Sequence, residues 1–196
     1  MRLVLNLLVL ITICLDVKGQ ATSNDSIYES VISKSLQKRH NSLKHSQVLL
    51  ISDLTVSLAE NSWVLEDFDY LYFSEEIDQL LLDKFKELLG HAIVDSTTNH
   101  VSLGDLNTKF RTQIISQGEL DDFFIESPED GWKSFYKKYR NSLGLIRVSS
   151  IYYNKDIAIV YVTHHFGELG ATGDIYFLQR KIDTWVIISE TNVFKS

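Results

Sequence analysis

The side chains best suited by type to do chemistry lie in one glycine-bearing stretch, Thr163-His164-His165-Phe166-Gly167-Glu168-Leu169-Gly170-Ala171-Thr172-Gly173-Asp174. Imidazoles titrate near neutral pH, and a nearby carboxylate orients the ring and fixes its tautomer. Asp53 follows the aliphatic run Val48-Leu49-Leu50-Ile51-Ser52. Paired with His164 or His165, it would form an acid–base couple, and these three residues are the candidate catalytic set. Neighbouring residues on a regular strand point to opposite faces, so His164 and His165 are not expected to hold one metal ion together. The plainer expectation for the stretch is a wide hairpin loop with a solvent-facing histidine.

No established catalytic motif accompanies these residues. The nucleophile elbow, the zinc-protease helix, the phosphate loop and the paired-cysteine redox motif are all missing from the sequence. Neither a cofactor nor a metal site is expected. A serine nucleophile stays open, because a triad is set by spatial geometry and not by sequence order.

Two kinds of element would have to position such a site. Hydrophobic spacing predicts a helix over 26–39, with Ile27, Val31, Ser35 and Leu36 near one face. A polar loop over 40–46 leads to a buried strand within 46–58. The aromatics and acids of 59–74, including Trp63, Phe68, Tyr70, Tyr72 and Phe73, read as a loop plugging the edge of a core. A helix then starts behind Ser74 and carries Ile77, Leu80, Leu81, Phe85, Leu88 and Leu89, with Gly90 as the residue that ends it. Residues 105–117 carry Leu106, Phe110, Ile114 and Ile115 and read as a short helix, as does GELDDFFIES over 118–127. Pro128 and Gly131 are expected to break the chain ahead of a helix bearing Trp132, Phe135, Tyr136 and Tyr139.

From Leu143 the period switches to two. Four strands follow in LIRVSSIYYN, DIAIVYVTHHFG, GDIYFLQRK and TWVIISETNVF, joined by short connections. The order predicts an α+β fold: N-terminal helices with a C-terminal four-stranded antiparallel meander. A sheet of that kind curled around helices would be a cystatin-like or nuclear-transport-factor-like cone.

The first residues predict export. Arg2 is followed by an apolar run from Leu3 to Leu15, and Val17 and Gly19 stand at −3 and −1 to a cut before Gln20. The run is about 13 residues, short of the roughly 20 that span a bilayer as a helix. The expected organisation is a signal peptide over 1–19 and one soluble α+β domain over 20–196. The single cysteine, Cys14, would leave with the signal, so no disulfide is expected. Such a chain is held by its core alone, which favours a bacterial periplasm or the exterior. Only lipidation at Cys14 would put it on a membrane.

Removing Arg2, Asp16 and Lys18 from the chain's 19 basic and 26 acidic residues leaves 17 and 25, a balance of −8. That charge argues against nucleic acid as a partner.

The stretches GWKSFYKKYRNSLGLIRVSSIYYN, IAIVYVTHHFG and GATGDIYFLQRKIDTWVI resemble a family of exported proteins, found mainly in Bacteroidota, to which no activity is assigned. The features that carry the resemblance fall on Gly131, Trp132, Phe135, Tyr136, Tyr139, Ser142, Gly144, Ala158, Val160, Tyr161, Gly170, Gly173 and Trp185. QVLLISDLT is similar to that family's earlier strand. The chain departs at SSIYYN and at its NVFKS end. The resemblance implies export and supplies no site residues.

The sequence thus predicts a non-enzymatic exported domain that binds a small ligand or an envelope protein. The alternative is a cofactor-free hydrolase or isomerase with a sheet-lined pocket, using Asp53, His164 or His165.

Overall fold

The computed structural model describes residues 24–38, 47–59, 63–68, 71, 73, 77–101, 106, 111–125 and 127–195. The expected signal peptide, Cys14, the loop 40–46, Tyr70, Tyr72, Ser74 and Phe110 lie outside the described residues.

The first helix, α1, covers residues 24–37. After it come β1 (Val48–Ser52), α2 (Trp63–Glu66), α3 (Gln79–Val94), β2 (Arg111–Ile115), α4 (Gln117–Phe123) and α5 (Pro128–Lys138). The remaining strands are β3 (Ser142–Val148), β4 (Tyr152–Asn154), β5 (Ile157–His165), β6 (Ala171–Lys181) and β7 (Thr184–Lys195). This is a mixed α+β fold with helices leading into a C-terminal sheet.

Among the described residues the sheet has seven strands and is not closed into a barrel. Its order is β2-β1-β3-β5-β6-β7, with β4 also on β5. It is therefore wider than four strands. β1 lies parallel to both β2 and β3, whereas β3–β5, β4–β5, β5–β6 and β6–β7 are antiparallel.

Both faces are covered, so β5 reads as a continuous apolar run rather than an alternating one. On one face α1 lays Ile27, Val31, Ile32 and Leu36 over Ile146, Val148, Ala158, Val160, Val162, Tyr176 and Leu178. Tyr28 closes this layer by donating its hydroxyl to the Ser149 carbonyl at 3.0 Å. On the other face α2 and α3 cover Ile157, Ile159, Tyr161, Ile175, Phe177 and Ile188. Phe68 and Phe73 join Phe85 and Phe177 there with ring centroids about 6 Å apart, so these two aromatics of the 59–74 segment plug a core edge as expected. A third cluster sets Leu120 and Phe135 of α4 and α5 against Leu50 and Leu145.

Several expectations are corrected. α3 starts behind Asp78, whose carboxylate accepts from Leu81 N at 2.8 Å. The helix runs through Gly90 to Val94 because Ala92 and Ile93 extend its buried stripe. That burial outweighs the ~1 kcal/mol that glycine costs in a helix. Within the expected helix 105–117, residues 111–115 form β2 instead. Thr112, Ile114 and Ile115 suit a strand, and β1 offers them a ladder. Pro128 does not break the chain. It occupies the first turn of α5 behind Ser127, whose hydroxyl accepts from Asp130 N at 3.1 Å. Gly131 lies in that first turn, because a Cβ there would meet the Phe124 ring at 2.3 Å and the Phe123 carbonyl at 2.8 Å.

The first C-terminal strand is also split. Between β3 and β4, the Ser149 hydroxyl accepts from Tyr161 N at 2.9 Å, standing in for a backbone carbonyl. Ser149 N still donates to Tyr161 O at 2.8 Å, so the bend stays anchored to β5.

Candidate functional site

On the α1 face of the sheet, β6 carries Thr172, Asp174, Tyr176 and Leu178 in alternation. Tyr176 and Leu178 enter the core beneath α1. Thr172 and Asp174 continue the same face past the helix, and both are nearly sealed, at 5% and 2% exposure. A cavity of about 720 Å³ opens at this end. Tyr136, Leu143 and Phe166 give it an apolar wall. Thr172, Asp174 and Asn192 give it polar groups, and Lys38 and Lys195 supply two ammonium ions.

The charges in the cavity are organised around Asp174. Lys38 Nζ lies 3.5 Å from Asp174 and 2.9 Å from Glu190. The Asn192 amide donates to Asp174 Oδ1 at 3.1 Å and to the carbonyls of Gly173 and Phe194 at 2.9 and 3.1 Å. Burying a carboxylate without partners of this kind is unfavourable. Thr172 is different: its hydroxyl oxygen is buried and has no hydrogen-bond partner among the described residues. The Tyr136 hydroxyl donates to the Phe166 carbonyl at 3.0 Å, tying α5 to the turn after β5.

His164 faces this side of the sheet and is only 1% exposed, so the expected solvent-facing histidine is not found there. Its Nε2 lies 2.7 Å from the carbonyl oxygen of Leu143. A carbonyl only accepts, so Nε2 carries the proton. The ring also meets Phe166 edge-on, with centroids 5.3 Å apart. His164 thus fixes the two residues that form part of the cavity's apolar wall.

His165 points to the opposite face, as strand geometry requires. It lines a second cavity of about 320 Å³ with Arg147, Thr55 and Thr163. Its Nε2 is 3.2 Å from Thr163 Oγ1. Burial, and then the Arg147 guanidinium, push its pKa down to about 4. The imidazole is therefore neutral at pH 7.

Asp53 lies beyond the end of β1, where its Oδ1 accepts from Gln117 N at 2.8 Å, at the start of α4. Its other oxygen is 3.6 Å from His100 Nδ1. Its backbone pairs with Ile115 and Val101. The bonds of Asp53, His164 and His165 thus run to three separate sets of neighbours. Two candidates sit on opposite faces of one strand, and the third anchors a helix start.

Among the described residues there is no group of three or more histidine, cysteine, aspartate or glutamate side chains that could hold a metal ion. No helix among them is long and apolar enough to cross a membrane. No family model, curated protein or solved structure matches the chain.

Sequence reasoning singled out Asp174 only as a neighbour of the histidines, and it missed Thr172, Asn192, Lys38 and Arg147. One signal was present. Thr172 and Asp174 keep the register of Tyr176 and Leu178, so two polar residues interrupt a face that is otherwise core.

Proposed function

We propose that the chain is an exported, non-enzymatic binding protein whose ligand is a small amphipathic molecule held in the cavity beside Thr172 and Asp174. The observation that carries this reading is the cavity itself. Its volume of about 720 Å³ falls within the roughly 300–1,000 Å³ typical of small-molecule sites. It pairs an aromatic and aliphatic wall with a few convergent polar groups, the combination that fixes a ligand's orientation. The buried Thr172 hydroxyl, without a partner among the described residues, is a reason for a ligand polar group to bind there, since leaving it unsatisfied is unfavourable. The N-terminal pattern of Arg2, an apolar run and small residues before Gln20 supports export. The C-terminal strands and the helices over them would serve as the wall and lid of a cone-like container. A concave, partly enclosed cavity suits a small molecule better than an envelope protein surface.

The enzyme alternative needs two of Asp53, His164 and His165 on one reacting atom. Their separate engagements weigh against it.

The test uses the dye 1-anilinonaphthalene-8-sulfonate, which joins an aromatic body to an anionic group. Saturable fluorescence enhancement at one dye per folded chain is expected. Gln47→Trp and Ser142→Phe, both at the cavity lining, should each abolish it while the near-ultraviolet circular dichroism stays native. No enhancement, or enhancement that survives both fillings, would overturn the reading.

A further inference from the structure

The cavity on the far face of the sheet has a different chemistry. Arg147 of β3 stands directly opposite Thr163 of β5, and both side chains line it. The Arg147 Nε is buried and has no hydrogen-bond partner among the described residues. No carboxylate among the described residues lies within 4 Å of its guanidinium. Burial holds its pKa below the usual guanidinium value, and Asp121 offsets this only through longer-range attraction. A guanidinium partly withdrawn from water without a counter-ion beside it is unfavourable, and an incoming anion would relieve it.

The remaining lining supplies donors and no acid. The Thr55 oxygen accepts from Asn99 N at 2.7 Å, so its hydroxyl proton is left to point elsewhere. Thr98 adds an exposed hydroxyl. His165 and Thr163 share one bond. With the proton on Nε2, the imidazole donates to Thr163 and the threonine proton remains available. With the proton on Nδ1, Thr163 donates to Nε2 and Nδ1–H remains. Either way the pair keeps one donor. These groups come from β3, β5 and the segments after β1 and α3, so they converge from several directions and not in one plane.

We infer that this cavity is a binding site for a tetrahedral oxyanion, a phosphate or sulfate group, with Arg147 as its anchor and Thr55, Thr98 and the Thr163–His165 pair as the other donors. Guanidinium groups and hydroxyls are the usual partners of such anions. About 320 Å³ leaves space for a free ion or for the anionic end of a larger molecule. The site is separate from the amphipathic cavity and stands or falls independently of it.

The experiment titrates the full chain with inorganic phosphate, sulfate or acetate at constant ionic strength set by chloride. Calorimetry and amide chemical shifts are the readouts. One phosphate or sulfate per chain is expected, with the largest shifts at Arg147, Thr163 and His165 and weaker binding of planar acetate. Arg147→Gln should weaken phosphate binding by at least about tenfold, because it removes a charge-assisted donor. Arg147→Lys should fall between it and the parent, and Arg140→Gln, on the exposed turn after α5, should match the parent. Thr98→Ala removes one exposed donor and should weaken binding a few-fold, which keeps the test decisive if the Arg147 variants do not fold. Absence of saturable binding, shifts confined to surface lysines, or equal affinity in Arg147→Gln and Arg140→Gln would each overturn the assignment. Acetate binding as tightly as phosphate would overturn its tetrahedral character.

Discussion

The Nε2 of His164 donates to the carbonyl of Leu143 at 2.7 Å, joining β5 to the start of β3 in a place that water does not reach. The bond fixes the ring's tautomer, with the proton on Nε2. It also explains a histidine in the core register of β5, where Val160 and Val162 precede it. Replacing the ring with leucine takes this donor away from the buried Leu143 carbonyl. His164→Leu should therefore lose ~1–3 kcal/mol of stability. His164→Gln, which keeps an N–H donor, should lose less. Urea denaturation of the two variants checks the order.

Gly144 lies immediately beneath this bond. Its φ of +103° is in the region that side chains avoid. A Cβ there would sit 2.3 Å from the His165 carbonyl oxygen and 3.1 Å from His164 Nε2. Gly144→Ala should destabilise the fold by about 2–4 kcal/mol, combining backbone strain with overpacking. Gly118, with nothing within 4 Å of the same built atom, is the control. Gly118→Ala should be neutral or mildly stabilising, as expected of an exposed helix glycine. Thermal unfolding of both variants tests the contrast.

Thr172 carries a buried hydroxyl without a hydrogen-bond partner among the described residues. Thr172→Val keeps the shape and removes the oxygen. In the unliganded protein this substitution should raise stability by up to ~1 kcal/mol, the reverse of the usual effect of a core substitution. The same change should weaken binding in the cavity if a ligand group pairs with that hydroxyl. The two opposed readouts, denaturation and dye titration, are measured on one variant.

His165 sets a pH dependence. Its pKa falls from an ordinary 6.5 to about 4 on folding, through burial and then through Arg147. The unfolded chain therefore holds more protons between these values. Stability from this group is complete above pH 6.5 and is lost as pH falls towards 4, with a slope approaching ~1.4 kcal/mol per pH unit. His165→Gln should flatten that part of the stability profile. Titration of the His165 ring by nuclear magnetic resonance should give a midpoint near 4, well below the ordinary 6.5.

Much of the sheet was legible from the sequence. In β5, β6 and β7, short connections and runs of β-branched residues mark strands directly, and Asn154-Lys155-Asp156 marks the turn between β4 and β5. What could not be read was long-range pairing. Residues 111–115 carry apolar side chains at a spacing compatible with either period, and only the presence of β1 alongside decides for a strand. Gly90 and Pro128 are local stop signals overruled by burial in one case and by helix-start geometry in the other. The site was less legible than the fold. Strand alternation alone separates His164 from His165, and the structure has them on opposite faces. Arg147, Thr55 and Thr163 meet across three parts of the chain, so no local pattern announces them.

The position of β1 also fixes an order of events. It lies between two parallel partners that follow it by about sixty and about ninety residues, and such non-local pairings form slowly. The run from β5 to β7 closes through adjacent hairpins instead. The topology predicts that the last-made part of the chain organises first and that the earliest strand is received into a sheet already assembled. Pulsed hydrogen exchange during refolding should then protect Val160 and Tyr176 amides before those of Leu49 and Leu50.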